Sequence, residues 1–284
     1  MNERPNATVK NCQALIICLV VFFFYYQSRY SASERVLHHS ENEYGDLWVH
    51  ERGGVRCISF AEPKETEVYQ SCIMLDDPKR LVFNYTKMAL GGLYLNPEPK
   101  QALLIGLGGA SIADALQRMF PDTSIEVVEI NPVIYEVAKK YFYFELANNT
   151  KVIIQDGISF LENAVTQKRT YDFIIVDAFN NNGVVPVFIT EEFTRTVKSA
   201  LAPGGVVVVN TLYDSEHDKI YKTIFGPFIN LITSNSREIV AMNGELPMMD
   251  TIEANALHLQ QKLEEQGVCK DWLMSILKQN NQLT

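Results

Sequence analysis

The feature that most constrains this chain is an alternation of short apolar runs with helical patterns that begins at Gln101. Residues 102–105 read ALLI, and a glycine turn, Gly106-Leu107-Gly108-Gly109, leads from them into a helical pattern over residues 111–119. Apolar runs recur at 124–130, 152–155, 171–176 and 206–210. Helical patterns stand between them at 132–142, through Phe160 and Leu161, and at 190–201. Thr190-Glu191-Glu192 is a helix-capping start, and residues 219–232 and 238–242 continue the alternation. Strands that are apolar along their whole length are buried on both faces, which implies a parallel sheet covered by helices on each side. The expected class is therefore α/β with a Rossmann-like parallel sheet over residues 100–284, including a helical amphipathic tail at 252–277. That tail packs on the sheet or on a partner, a second copy of the chain included.

Upstream, the pattern differs. Residues 46–50, 55–60 and 69–75 alternate and are broken by Gly53-Gly54 and Glu62-Pro63-Lys64, the signature of a small antiparallel β unit within 44–99. Leu81, Tyr85, Met88 and Ala89 have helical spacing over residues 80–94. Residues 31–43 are polar and read as a linker. Residues 14–26 (ALIICLVVFFFYY) form an uninterrupted apolar run with Arg4 and Lys10 before it and Arg29 after it. The run is shorter than the ~20 residues that span a bilayer comfortably. Three readings stand for residues 1–30: a signal anchor, a cleaved signal peptide, or a buried apolar element. Membrane association is the favoured one, with the folded domain on the cytoplasmic side; export after cleavage is the alternative.

Composition narrows the function. A net charge of -9 argues against a nucleic-acid binder, because neutralising phosphates takes clustered Lys and Arg. The five cysteines (Cys12, Cys18, Cys57, Cys72 and Cys269) include no CxxC pair, so neither a disulfide framework nor a zinc site is expected. The adjacent His38 and His39 have no ligand partner at useful spacing, and no metal is expected.

The chemistry-bearing residues fall at strand ends, where open parallel sheets bind ligands. Gly106, Gly108 and Gly109 allow a tight turn and close backbone approach to a ligand at a helix N-terminus, although a glycine turn also serves packing alone. Glu129 ends the second strand about 20 residues past the glycines, where a carboxylate accepts hydrogen bonds from ribose hydroxyls. Asp156-Gly157 follows the third strand, as an adenine partner or a helix N-cap. Asp177 follows the fourth, at the expected pocket floor. Together these positions point to an adenosine-bearing co-substrate.

The segments ALLIGLGGAS, IEVVEINPVIYEVAKKYF, VIIQDGISFL, YDFIIVDAF and LAPGGVVVVN resemble the polyamine aminopropyltransferase (spermidine synthase) family, a branch of the S-adenosylmethionine methyltransferase-like superfamily. The resemblance covers residues 44–243 and implies an aminopropyltransferase of polyamine biosynthesis. It implies decarboxylated S-adenosylmethionine, or S-adenosylmethionine itself, as co-substrate and a small amine as acceptor. It assigns Gly106, Gly108 and Gly109 to the glycine loop, Glu129 to the ribose and Asp156-Gly157 to the adenine side. Asp177 becomes the catalytic aspartate, Tyr85 a tyrosine facing the amine on a substrate-side helix, and Gln70 and Asn180 substrate-side groups.

Departures accompany the match. Gly109 and Asn180 stand where the family carries aspartates, Leu81 and Val82 where it carries acids, and Lys87 where it carries a glutamate. Two rivals follow from this thinning of carboxylates: a methyltransferase using ordinary S-adenosylmethionine, and a non-catalytic binding protein on the same fold. A nicotinamide dehydrogenase is disfavoured because Ser111 takes the place of its third glycine.

Overall fold

The computed structural model describes residues 33–66, 68–180, 183–212 and 215–280. The apolar run at 14–26 lies outside them. Among the described residues no helix is long and apolar enough to cross a membrane.

Four antiparallel strands come first, paired in chain order: β1 (Arg35–Asn42), β2 (Gly45–Arg52), β3 (Val55–Ser59) and β4 (Ser71–Met74). Residues 35–42, expected as linker, are thus the outer strand of the small sheet. They read as polar because an edge strand keeps a wet side; the Leu37 carbonyl nevertheless accepts from the Tyr141 hydroxyl at 3.2 Å. The β3–β4 ladder sets Cys57 directly opposite Cys72, and the two form a disulfide. This corrects the expectation of unpaired cysteines: the bond depends on strand register, which cysteine spacing does not report. Cys269 is free and exposed.

The helical spacing expected from residue 80 becomes α1 (Asn84–Ala89) and a 3-10 turn, Leu90–Tyr94. Residues 80–83 stay outside it, and the Leu81 amide bonds to the Gln266 carbonyl of the tail at 2.9 Å. The βα alternation then unfolds as β5 (Gln101–Ile105), α2 (Ser111–Met119), β6 (Ser124–Glu129), α3 (Pro132–Tyr141), β7 (Thr150–Ile154), α4 (Gly157–Thr166) and β8 (Tyr171–Val176). Two short paired strands follow, β9 (Phe179–Asn180) and β10 (Gly183–Val184), then α5 (Glu191–Ala200), β11 (Leu201–Thr211), α6 (Ser215–Phe225), β12 (Ile229–Ile232) and β13 (Arg237–Met242). Helices α7 (Met249–His258), α8 (Gln260–Glu265) and α9 (Lys270–Asn280) form the tail.

The large sheet has seven strands in the order β12-β13-β11-β8-β5-β6-β7. Strands β11, β8, β5, β6 and β7 are parallel, as the apolar runs imply. The remaining edge is corrected: β13 runs antiparallel to β11, and β12 antiparallel to β13. Only residues 233–236 join β12 to β13, too few for the crossover a parallel pair needs.

Because successive strand residues face opposite sides, each central strand feeds two cores. Leu104, Val127, Ile175 and Val208 pack with α2, α3, the tail helices and Leu47, Ile58 and Ile73 of the small sheet. Leu103, Val128, Ile174 and Val207 pack on the other face against Phe160 and Leu161 of α4, Phe193 of α5 and Tyr221 of α6. The small sheet is also tied to α3 by Arg56 Nη1, which donates to the Tyr141 carbonyl at 2.7 Å.

The disulfide closes the chain between two strands 15 positions apart. Replacing both cysteines by alanine is expected to lower unfolding stability by about 3 kcal/mol under oxidising conditions, measured by denaturant titration. The same substitution should cost less once the parent protein is reduced, because only the packing of the two buried thiols is then lost.

Candidate active site

Strands β5, β6 and β7 step outward in one direction and β8 returns to the other side of β5, so a crevice opens between the carboxyl ends of β5 and β8. Both ends are shaped by one close approach. Gly106 has φ of +97°, and a Cβ there would lie 2.1 Å from the Asp177 carbonyl oxygen. Only glycine lets the loop pass so near β8. The Asp177 amide donates to the Ile105 carbonyl at 2.9 Å and the Gly106 amide to the Val128 carbonyl at 2.8 Å, which fixes both strand ends.

Glu129 is nearly buried and bonded at both oxygens: Oε2 accepts the Leu107 amide at 2.9 Å and Oε1 the Asn131 amide at 2.8 Å. It thus braces the glycine loop as well as lining the cavity. Burial raises its pKa, opposed by these backbone N–H groups. Asn131 caps α3, accepting from the Val133 amide at 3.0 Å, and receives Asn42 Nδ2 of the small sheet at 3.0 Å. Asp156 caps α4 through Oδ2, which accepts the Ser159 amide at 2.8 Å and its hydroxyl at 2.7 Å. The capping role is therefore present, and Asp156 lines the cavity as well.

Asp177 Oδ1 accepts from Asn210 Nδ2 at 2.8 Å. Burial pushes its carboxyl up to about 6; the Asn210 bond opposes the shift and the charge of Glu129 adds to it. Tyr85 stacks on Phe83, and its hydroxyl donates to the Gln70 carbonyl at 2.7 Å. Burial pushes the Tyr85 phenol well up, helped by the charges of Asp177 and Glu238.

Gln70, Tyr85, Gly106, Gly108, Glu129, Asp156, Gly157 and Asp177 all line one cavity of about 750 Å³. Gly109 differs from its expected role. It is buried, and a Cβ there would meet Ser71 Oγ at 2.5 Å and Phe142 Cδ1 at 2.9 Å. It brings β4 down onto the loop, and the space an aspartate would need is taken by Ser71. Asn180 belongs to β9, and its side chain lies outside the described residues. Sequence reading missed Asn210, which orients Asp177, and Glu238, a fully buried acid on β13. Asn210 lines the cavity, and Glu238 stands opposite it on the neighbouring strand. Among the described residues no group of three His, Cys, Asp or Glu side chains is arranged to hold a metal.

Comparison with known proteins agrees with this fold. Residues 83–225 match the sequence model of the spermine/spermidine synthase domain. The polyamine aminopropyltransferase of Vibrio vulnificus is 36% identical over 238 residues, covering 81% of this chain and 79% of that one. Spermidine synthase in complex with the transition-state analogue AdoDATO superposes with a TM-score of 0.64 at 17% identity, over 86% of this chain and 85% of that one. Human methyltransferase-like protein 13 in complex with SAH superposes with a TM-score of 0.59 at 25% identity, over 64% of this chain and 93% of that one. Fold and relatives together define a transferase on a methyltransferase-like scaffold. Within that class, the chain belongs to the spermine/spermidine synthase family.

The raised carboxyl at Asp177 carries a stability cost. Its folded pKa of about 6 exceeds the ordinary value of 3.8, so the stability it contributes is complete below the lower value and lost as pH rises through the higher one. Asp177→Asn keeps the acceptor for Asn210 and removes the ionisation. The variant is expected to be more stable than the parent by about 1–3 kcal/mol at pH 8, with the difference vanishing towards pH 4. Thermal unfolding across that range checks the sign.

Proposed function

We propose that this protein transfers an aminopropyl group from decarboxylated S-adenosylmethionine to a small amine, and that the reaction takes place at Asp177. The observation that carries this reading is the Asp177 carboxyl, raised to about 6, in a cavity it shares with the braced glycine loop and Glu129. Gly106, Leu107 and Gly108 form a close-fitting backbone cradle, and Glu129 offers the ribose its remaining lone pairs. Asp156 stands on the adenine side, where the start of α4 contributes Gly157.

The sulfonium co-substrate is already activated, so the protein has to align and deprotonate the nucleophile. The amine nitrogen forms a bond to the propyl carbon attached to sulfur. The carbon–sulfur bond breaks with its electron pair going to sulfur, and methylthioadenosine leaves. Asp177 takes the proton from the attacking nitrogen; its raised pKa suits this task, because a base titrating near the working pH is efficient. Asn210 holds the carboxylate so that Oδ2 is free to face the amine. Tyr85, fixed by the Gln70 carbonyl, presents its oxygen to the same nitrogen.

A second reading is favoured by the packing at Gly109. Ser71 fills the place of the family's aspartate, which removes one partner for a free propyl ammonium. Ordinary S-adenosylmethionine carries a carboxylate beside its ammonium, which backbone N–H groups at a helix start can hold without that acid.

A product assay separates the two. With putrescine or spermidine as acceptor, methylthioadenosine release is expected only with the decarboxylated co-substrate, falling by at least 10²-fold in Asp177→Asn. The parent's rate should fall as pH drops below about 6, where Asp177 is protonated and accepts no proton. Adenosylhomocysteine release from ordinary S-adenosylmethionine would transfer the assignment to the methyltransferase. Independently, Glu129→Gln is expected to weaken methylthioadenosine binding by about 1.5–3 kcal/mol in calorimetry. Unchanged affinity would restrict Glu129 to its bracing role.

A further inference from the structure

Glu238 opens β13 one residue in from its start, with none of its surface exposed and no hydrogen-bond partner for either carboxylate oxygen. A buried carboxyl left in this condition opposes folding, so its position invites a functional explanation. The neighbouring Arg237 does not supply the missing partner. Adjacent strand residues point to opposite faces, and its guanidinium is engaged by Asn230 Oδ1, the Leu212 carbonyl and Asp218.

The ladder shows where Glu238 faces. It stands directly opposite Asn210, so the two side chains leave the same side of the sheet. Asn210 uses that side to hold Asp177. Asn210, Tyr85 and Ser236 line the cavity, and the charge of Glu238 is felt at Tyr85. Glu238 therefore lies just behind the cavity wall, and no hydrogen bond has to break for its carboxyl to swing inward.

The strand order adds a direction. Glu129, the glycine loop, Asp177, Asn210 and Glu238 sit on β6, β5, β8, β11 and β13, which are consecutive neighbours in the sheet. The nucleoside side is at one end of this row, the transfer point is in the middle, and Glu238 is at the other end. β13 is two strand positions from β8, about 10 Å at the usual spacing. With side chains reaching inward from both ends, that span fits a short diamine with one nitrogen at each carboxylate.

We propose that Glu238 is the second anchoring carboxylate of the acceptor site, receiving the distal ammonium of a diamine whose other nitrogen lies at Asp177. The proposal rests on the aminopropyl-transfer reading. It supplies an acceptor-side charge partner where Leu81, Val82 and Lys87 offer none. Burial raises the pKa of Glu238 and the charge of Asp177 adds to the shift; a distal ammonium favours the charged form, so binding there is coupled to proton release.

The test is calorimetry on the full chain saturated with methylthioadenosine, comparing putrescine with n-butylamine in buffers of different ionisation enthalpy. Glu238→Gln is expected to weaken putrescine binding about 10- to 100-fold and to abolish the proton released by the parent. Butylamine and methylthioadenosine affinities should stay unchanged. In turnover, KM for putrescine should rise while kcat changes little. If Glu238→Gln lost methylthioadenosine binding, Glu238→Met would fill the same space without a charge and must show the same loss of preference for the diamine. Undiminished putrescine affinity in a variant that still binds methylthioadenosine overturns the assignment of Glu238 alone. A parent protein that binds methylthioadenosine but neither amine overturns the aminopropyl reading together with it.

Discussion

The approach of Gly106 to the Asp177 carbonyl is the contact on which the rest of the site depends. It sets the glycine loop against the end of β8, so the loop and the Asp177 carboxyl share one wall. The contact is possible because β5 and β8 are neighbours in the sheet although β6 and β7 separate them in the chain. Glu129 then holds the loop from the other side by accepting the Leu107 and Asn131 amides. Asn131 passes the restraint on to Asn42 and the small sheet. A backbone distance in the large sheet is thereby linked to the placement of the unit that covers the cavity.

The acids around the cavity differ in how many partners the protein gives them. Glu129 has both oxygens occupied by backbone amides, and Asp156 has one oxygen filled by Ser159. Asp177 has one side-chain amide, and Glu238 has no partner. A carboxylate saturated by fixed donors holds its shape, and those donors oppose the upward push of burial on its pKa. One left dry and underbonded holds its proton more tightly and responds to an arriving cation. The gradient runs along the sheet from β6 to β13, so the same residue type is tightly bonded at one end and unbonded at the other.

Much of this was legible in the sequence because it is local. The strand–helix rhythm, the glycine turn, the cap at Thr190 and the strand-end acids Glu129, Asp156 and Asp177 each declare themselves within a few residues. What remained hidden depends on pairing. Glu238 looks like an ordinary charged residue until β13 turns back antiparallel and lays it opposite Asn210. Cys57 and Cys72 look unrelated until register sets them face to face. Residues 35–42 carry enough polar side chains to pass for a linker, and their strand character comes from an edge position that needs only one covered side. Gly109 reads as part of the glycine loop, and the Ser71 side chain that packs on it comes from a different sheet.

The Cys57–Cys72 bond also bears on how such a pocket can change over time. The segment between β3 and β4 supplies Phe60, Val68, Tyr69 and Gln70 to the cavity, and its two ends are fixed by the ladder and by the disulfide. A loop clamped at its base is insulated from the sheet that carries it. Its length and side chains can drift without shifting β3, β4 or the core below, and small changes in loop length have little effect on closure entropy. The lining that this loop contributes can therefore change while the part of the cavity built on the glycine approach stays as it is.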